Sequence, residues 1–205
     1  MNPLYAETLF NFLYGKVDGY HISTSSRRHL DPASDKFLYG EIPFKTWHKI
    51  VEQINPKEDA VFFDLGSGTG RVVMQSYLAF NFCKSIGVEF IEGLHNKALE
   101  TKNTFEKIIN PQIIKHTNSR ELQFIRGDIF AIDLSEADFI LLNYPLKGEE
   151  NFLRLEEKFL QELKPKTKIV TTIRALKNKA FKPCGVKNHD FSWGESTAYL
   201  YEVNR

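Results

Sequence analysis

The chain has 205 residues, 42% of them hydrophobic and 26% charged, with a formal net charge of +1. That size and apolar share suit one soluble globular unit with a sizeable core, and the near-neutral balance excludes a global field that would draw the protein to nucleic acid or a membrane. Cys83 and Cys184 form neither a disulfide framework nor a metal-spaced cluster, so a reduced, cytoplasmic setting is expected. No apolar run approaches the ~20 residues that span a bilayer, and the start, Met1-Asn2-Pro3-Leu4, lacks the basic head and apolar core of a signal peptide.

Taken in order, residues 3–14 carry Leu4, Tyr5, Leu9, Phe10, Phe12 and Leu13, which predicts a short amphipathic helix packed on the body. Ser23-Thr24-Ser25-Ser26-Arg27-Arg28-His29 reads as a solvated loop, with a lid or partner-binding segment as the alternative. In Phe37-Leu38-Tyr39-Gly40-Glu41-Ile42-Pro43, the glycine and proline mark a turn. Phe44, Trp47, Ile50, Val51 and Ile54 then recur at helical spacing, and the helix stops before Asn55-Pro56. An aromatic, a glycine and an acid just ahead of that helix could close over a bound cofactor.

Val61-Phe62-Phe63-Asp64-Leu65-Gly66-Ser67-Gly68-Thr69-Gly70-Arg71 predicts a buried strand, a tight turn and a helix starting near Arg71. Glycines permit the turn and let a ligand approach the backbone, while the helix start offers free N–H groups. An ordinary strand-to-helix turn needs perhaps one glycine; three beside Asp64 point to a nucleoside-cofactor loop. Dinucleotide folds ask for G-x-G-x-x-G, and the third position here is Arg71; no Gly-Lys-Ser/Thr follows to make a P-loop. The next strand, 84–89, ends in Glu89, placed to accept hydrogen bonds from a ribose diol.

Val72, Val73, Ser76, Tyr77 and Phe80 make a helix face, and residues 91–109 a longer helix with Leu94, Ala98, Leu99, Phe105 and Ile109 inward, ended by Pro111. Residues 111–120 form a polar connector. Leu122-Gln123-Phe124-Ile125 is a third strand leading into Arg126-Gly127-Asp128-Ile129-Phe130, and Ala137 to Leu142 a fourth, ending at Asn143-Tyr144-Pro145-Leu146. Leu153, Leu155, Phe159, Leu160 and Leu163 mark a helix, 169–173 a fifth strand, and 182–191 with 196–203 a hairpin joined by Ser192-Trp193-Gly194-Glu195. The fold class is α/β: a Rossmann-like, doubly wound, seven-stranded, mostly parallel sheet with a C-terminal antiparallel hairpin. Residues 1–40 are read as an N-terminal helix and cofactor-covering segment, and 41–205 as the catalytic domain.

Asp64 to Gly70 with Gly87-Val88-Glu89 resembles motif I and its acidic partner in class I S-adenosylmethionine-dependent methyltransferases. With Tyr39-Gly40-Glu41 ahead of them, the order resembles the disruptor-of-telomeric-silencing type of histone-lysine methyltransferase. Asp133-Leu134 and the final Trp-Gly-Glu-Ser-Thr-Ala-Tyr hairpin also resemble small protein-lysine methyltransferases of the ATP-synthase-subunit type. The resemblance covers roughly residues 37–203 and implies S-adenosyl-L-methionine as cofactor. Tyr39, Gly40, Glu41, Asp64, Gly66, Ser67, Gly68, Gly70 and Glu89 would contact it, Glu41 meeting the cationic methionine end. Asp128 would accept from the adenine amino group, with Ile129 or Phe130 on the ring. Asn143, also a cofactor contact, and Tyr144 would carry methyl transfer.

Nucleic-acid amino-methylating enzymes carry an Asp/Asn-Pro-Pro-aromatic tetrad at this point, and Asn143-Tyr144-Pro145-Leu146 matches it only at the asparagine and one proline. The histone-lysine family has an asparagine followed by apolar and aromatic residues, a looser pattern that this chain satisfies, so the resemblance implies a protein lysine as the acceptor. The alternatives are a nucleic-acid or small-molecule methyltransferase and a non-catalytic cofactor-binding adaptor. Residues 164–187 hold eight Lys/Arg and no acid, expected as a solvated edge, with docking of an acidic partner as the alternative. His48, His95 and His189 are expected to be structural or exposed, no metal is implied, and no apolar stripe is left over to mark an oligomer.

Overall fold

Successive side chains of a strand point to opposite sides. In β1 (Val61–Leu65), Val61, Phe63 and Leu65 therefore enter one core while Phe62 enters another. The computed structural model describes residues 3–27, 39–108, 120–143, 148–172 and 174–205. Around β1 lie β2 (Lys84–Glu89), β3 (Glu121–Arg126), β4 (Phe139–Leu142), β5 (Lys168–Thr171), β6 (Phe181–Phe191) and β7 (Gly194–Val203). Among the described residues they form one seven-stranded sheet in the order β3-β2-β1-β4-β5-β7-β6. The first five are parallel; β7 runs antiparallel between β5 and β6. The fold is thus the Rossmann-like arrangement with a terminal hairpin that the alternation predicts. The strand order reverses between β1 and β4, which opens a crevice at their carboxyl ends.

Helices cover both faces. α3 (Phe44–Ile54) packs Trp47, Ile50, Val51 and Ile54 against Phe62, Phe139 and Leu141. It ends as predicted, with Asn55 in the left-handed conformation at φ 47°. α6 (Glu149–Glu162) places Phe152, Leu155 and Phe159 on the opposite face. α1 (Pro3–Tyr14) packs outside α4 (Arg71–Ala79) and α5 (Glu92–Ile108), sharing a core with β3 through Leu9, Phe10, Leu13, Val73, Ala98 and Phe124. Each such fully buried side chain contributes on the order of 1.5–3 kcal/mol. No helix among the described residues is long and apolar enough to cross a membrane.

Several expectations are corrected. Residues 23–26, expected as part of a loop, instead complete helix α2 (Gly19–Ser26), with Asp18 accepting from the His21 N–H as its N-cap and Ser23 buried. Serines read as loop formers because they compete for backbone groups; here Ser25 Oγ satisfies itself on the His21 carbonyl at 2.8 Å within the helix. Leu4, Tyr5 and Phe12 point outward from α1, as do Leu99 from α5 and Leu153 from α6. Their helices each bury a single stripe, which leaves Leu4, Tyr5 and Phe12 as exposed apolar side chains where none was expected. In the basic run, Lys164 pairs with Asp138, Lys168 with Glu202, and Arg174 and Lys177 both with Glu149, so acids from other elements answer half of it. His95 and His189 are buried, and His48 faces Glu52 on its own helix at 3.6 Å. Arg28, His29, Phe37, Leu38, Ile109, the 111–119 stretch, Tyr144, Pro145, Leu146 and Ile173 lie outside the described residues.

Candidate active site

The turn after β1 is built from backbone. Gly66, Gly68 and Gly70 have φ of 84°, 56° and 79°, conformations that other residues adopt only with strain. The Gly66 and Ser67 N–H groups donate to the Val88 carbonyl at 2.9 and 3.0 Å, which ties the turn to the end of β2. Glu89, the last residue of β2, turns inward. One carboxylate oxygen accepts from the Gly68 N–H and the other from the Ile91 N–H, each at 2.7 Å.

Asp64, next to last in the fully buried β1, is 2% exposed. Desolvation, with the Glu89 carboxylate second, pushes its carboxyl from 3.8 up to about 8. Burial raises Glu89 too, against the hydrogen bonds it accepts. Asp64 Oδ1 and Ser67 Oγ are buried without a hydrogen-bond partner among the described residues. Unsatisfied polar atoms of that kind are costly, and the two residues that carry them line a cleft of roughly 580 Å³, counting its open mouth.

The segment ahead of α3 forms one wall. Tyr39 Oη donates to Glu41 Oε1 at 2.9 Å and meets Thr69 Oγ1 at 3.1 Å. Burial and the Glu41 charge hold this phenol well above its ordinary range, so it stays a neutral donor. Glu41 Oε2 faces Arg71 Nε at 3.3 Å, and the guanidinium lies over the Phe10 and Tyr14 rings at 5.4 and 5.0 Å. Asn143, immediately after β4, is fixed at both ends. Thr172 Oγ1 donates to its Oδ1 at 2.5 Å, and its Nδ2 reaches the Gly40 carbonyl at 3.4 Å.

Tyr39, Gly40, Glu41, Asp64, Gly66, Ser67, Gly68, Glu89 and Asn143 thus line one cleft, with Ile42, Val72, Ile91 and Leu94 as its apolar surface. Gly70 stands behind it, where a Cβ would lie 2.4 Å from the Phe124 ring. Asp128 lines an adjoining hollow with Ser26, Phe90, Ile91, Glu92 and Arg126, while its own Oδ1 caps the Phe130 N–H at 2.9 Å. Ile129 lies in the core, and the Phe130 ring sits under the Arg154 guanidinium at 4.4 Å. The structure does not gather these two with the cleft residues. Ser23 and Arg71 do line the cleft, and both escaped the sequence reading. In the sequence Arg71 marks only a helix start and an absent third glycine, and Ser23 falls in an expected loop.

Two orphaned polar atoms, acids at strand tips and a bare glycine turn fit a ligand with a diol and a cationic end. Arg71, paired with Glu41, brings a cation to the same cleft, where a ligand carboxylate could meet it. Those are the groups of S-adenosylmethionine.

The family model for histone methylation protein DOT1 matches residues 21–192. A protein-lysine N-methyltransferase of Saccharolobus islandicus is 26% identical over 165 residues, covering 80% of this chain and 92% of that protein. A histone-lysine N-methyltransferase, H3 lysine-79 specific, of Caenorhabditis elegans is 29% identical over 143 residues; the match covers 69% of this chain but 15% of that protein. Among solved structures, an RNA methyltransferase from Salinibacter ruber in complex with S-adenosyl-L-homocysteine superposes with a TM-score of 0.57 at 24% identity, covering 80% of this chain and 93% of that one. TrmN from Thermus thermophilus gives 0.58 at 17% identity over 87% of this chain and 53% of that one. At such identities these two structures speak to the fold.

Proposed function

Because the chain belongs to the DOT1 histone methylation family and is an S-adenosylmethionine-dependent methyltransferase of class I, we propose that its acceptor is a lysine amine in a protein. The observation that carries the reading is the placement of Asn143. Its amide is locked by Thr172 and Gly40 at the rim of the cleft, at the carboxyl end of β4. A fixed amide oxygen beside the reacting centre can hold an attacking amine in line. The name of the archaeal relative that matches along nearly its whole length supports the same acceptor class.

When bound, the cofactor supplies a methyl group activated by a sulfonium. Around it, the glycine turn with Ser67 and Asp64 would hold the adenosyl portion, and Glu89 the ribose hydroxyls. Glu41 would face the cationic methionine end and Arg71 its carboxylate. Asp128, in the hollow that also contains Phe90, would take the adenine amino group. Helix α2, with Ser23 at the lining, and Tyr39 with Gly40 would help to cover the cleft.

A lysine must be neutral to attack. Lowering its pKa from ~10.4 to ~7 corresponds to about 4.6 kcal/mol. A wall without free water and a nearby cationic sulfonium both disfavour the ammonium. Tyr39 supplies part of that wall, and Tyr144 is assigned to it from its place in the sequence.

The test is transfer of a labelled methyl group from S-adenosylmethionine to a protein extract. Label that is lost on protease treatment but survives nuclease supports the proposal. Label lost on nuclease treatment assigns the chain to nucleic acid. Asn143→Ala is expected to lower turnover at least about 100-fold while calorimetry shows cofactor affinity little changed.

A further inference from the structure

Tyr20 of α2 and Ser192, between β6 and β7, are 172 positions apart, yet Tyr20 Oη lies 2.6 Å from Ser192 Oγ. The same hydroxyl oxygen accepts the Glu41 N–H at 2.8 Å, and the Ser192 N–H donates to the Glu41 carbonyl at 3.1 Å. The main chain of Glu41 is therefore gripped by Ser192 on both sides. Its carboxylate is held by Tyr39 and Arg71. The Tyr39 ring in turn meets the Tyr20 ring edge-on at 5.2 Å and 84°. Glu41, Ser192, Tyr20 and Tyr39 close a circuit through three separated parts of the chain.

Two glycines make this approach possible. A Cβ on Gly40 would lie 2.4 Å from the Trp193 ring, and one on Gly19 would lie 2.1 Å from Tyr39 Oη. Bare backbone at both points lets the β6–β7 turn and α2 settle onto the 39–41 segment. The circuit is not needed to bury a core, because Tyr20 and Ser192 are both exposed.

We propose that Tyr20 and Ser192 are positioning residues for methyl transfer. They set Glu41 and Tyr39 against the cofactor cleft and fasten α2, which lines that cleft through Ser23, to the β6–β7 turn. The inference rests on the cofactor reading of Glu41 given above.

The test measures dissociation constants of the full chain for S-adenosylhomocysteine, with melting curves recorded in parallel. Ser192→Ala and Tyr20→Phe are each expected to weaken binding about 3- to 10-fold, the weight of one hydrogen bond. Their double variant should be no weaker than the weaker-binding single one, because both act on the same residue. Ser192→Thr, which keeps the hydroxyl, should bind as the wild type does. In a Glu41→Gln background, Ser192→Ala should add little. Unchanged affinity in both single variants overturns the proposal. So does loss in Ser192→Thr equal to that in Ser192→Ala, or a loss that merely follows the melting temperature. A wild type that fails to bind S-adenosylhomocysteine sinks the cofactor reading itself, which separates the two failures.

Discussion

Arg71 Nε stands 3.3 Å from Glu41 Oε2, joining the first residue of α4 to the segment ahead of α3 across the mouth of the cleft. Arg71 is also held over Phe10 and Tyr14 of α1, so one guanidinium touches three elements. Arg71→Ala removes the carboxylate's cationic partner and leaves Glu41 half-buried with the Tyr39 hydroxyl as its donor. Affinity for S-adenosylmethionine should fall about 10- to 100-fold, the weight of one charge-assisted contact. Titration with the decarboxylated cofactor checks the role: the variant should lose much less affinity for that analogue than for the parent compound. Equal losses would mean that Arg71 serves Glu41 alone.

Asp64 makes both stability and binding depend on pH. In the folded chain its carboxyl titrates near 8, against 3.8 in its ordinary state. Between those values the folded state holds a proton that the unfolded state has released, so stability falls as pH rises from about 4 to about 8. Glu89 is shifted in the same direction. Asp64→Asn should therefore raise the melting temperature relative to wild type, by a margin that grows across this window. A cationic ligand favours the ionised acid, so wild-type affinity for S-adenosylmethionine should rise between pH 6.5 and 8.5, and Asp64→Asn should flatten the rise. A flat wild-type profile by calorimetry would place the proton elsewhere.

Gly70 and Gly68 separate folding from binding. A Cβ on Gly70 would lie 2.4 Å from Phe124 Cε1 and 3.0 Å from Ala98 Cβ, at a φ of 79°. Gly70→Ala should lose about 2–4 kcal/mol of unfolding free energy, read by denaturant titration, because strain and overpacking add. At Gly68 the nearest obstacle is the Tyr39 ring at 2.8 Å. That ring is part of the cleft wall, so Gly68→Ala should cost cofactor affinity more than stability.

Under the cleft, Trp47 Nε1 donates to Ser76 Oγ at 2.8 Å, with both residues fully buried between α3 and α4. Ser76→Ala strands the indole N–H and should destabilise the protein by about 1–3 kcal/mol. Trp47→Phe removes the donor, so adding Ser76→Ala to it should cost less than Ser76→Ala alone. Unfolding curves of the three variants test the coupling.

The regular part of the fold was legible because its signals are local. The run 61–63 is apolar on both faces and leads through Asp64 and Leu65 into glycines, and α3 repeats its apolar residues every three or four positions, so burial and period agreed. α2 was hidden because its hydroxyl-rich sequence has no apolar stripe; it is placed by packing, with Ser26 pressed against Gly93 of α5. The exposed side of α1 and the pairing of the basic run were also invisible, since each depends on what lies across from it in space.

By itself the sequence determined a strand–turn–helix with three glycines and an acid, a second strand tipped by Glu89, and hence a nucleoside-cofactor loop, while the family resemblance supplied the cofactor. Backbone conformation and strand ends are set by neighbours in the chain. Only the tertiary structure decided that Arg71 answers Glu41, that Ser192 and Tyr20 meet above it, and that Ile129 and Phe130 sit apart from the cleft. Those pairings join residues from different elements, and their geometry exists only once the sheet has brought the elements together.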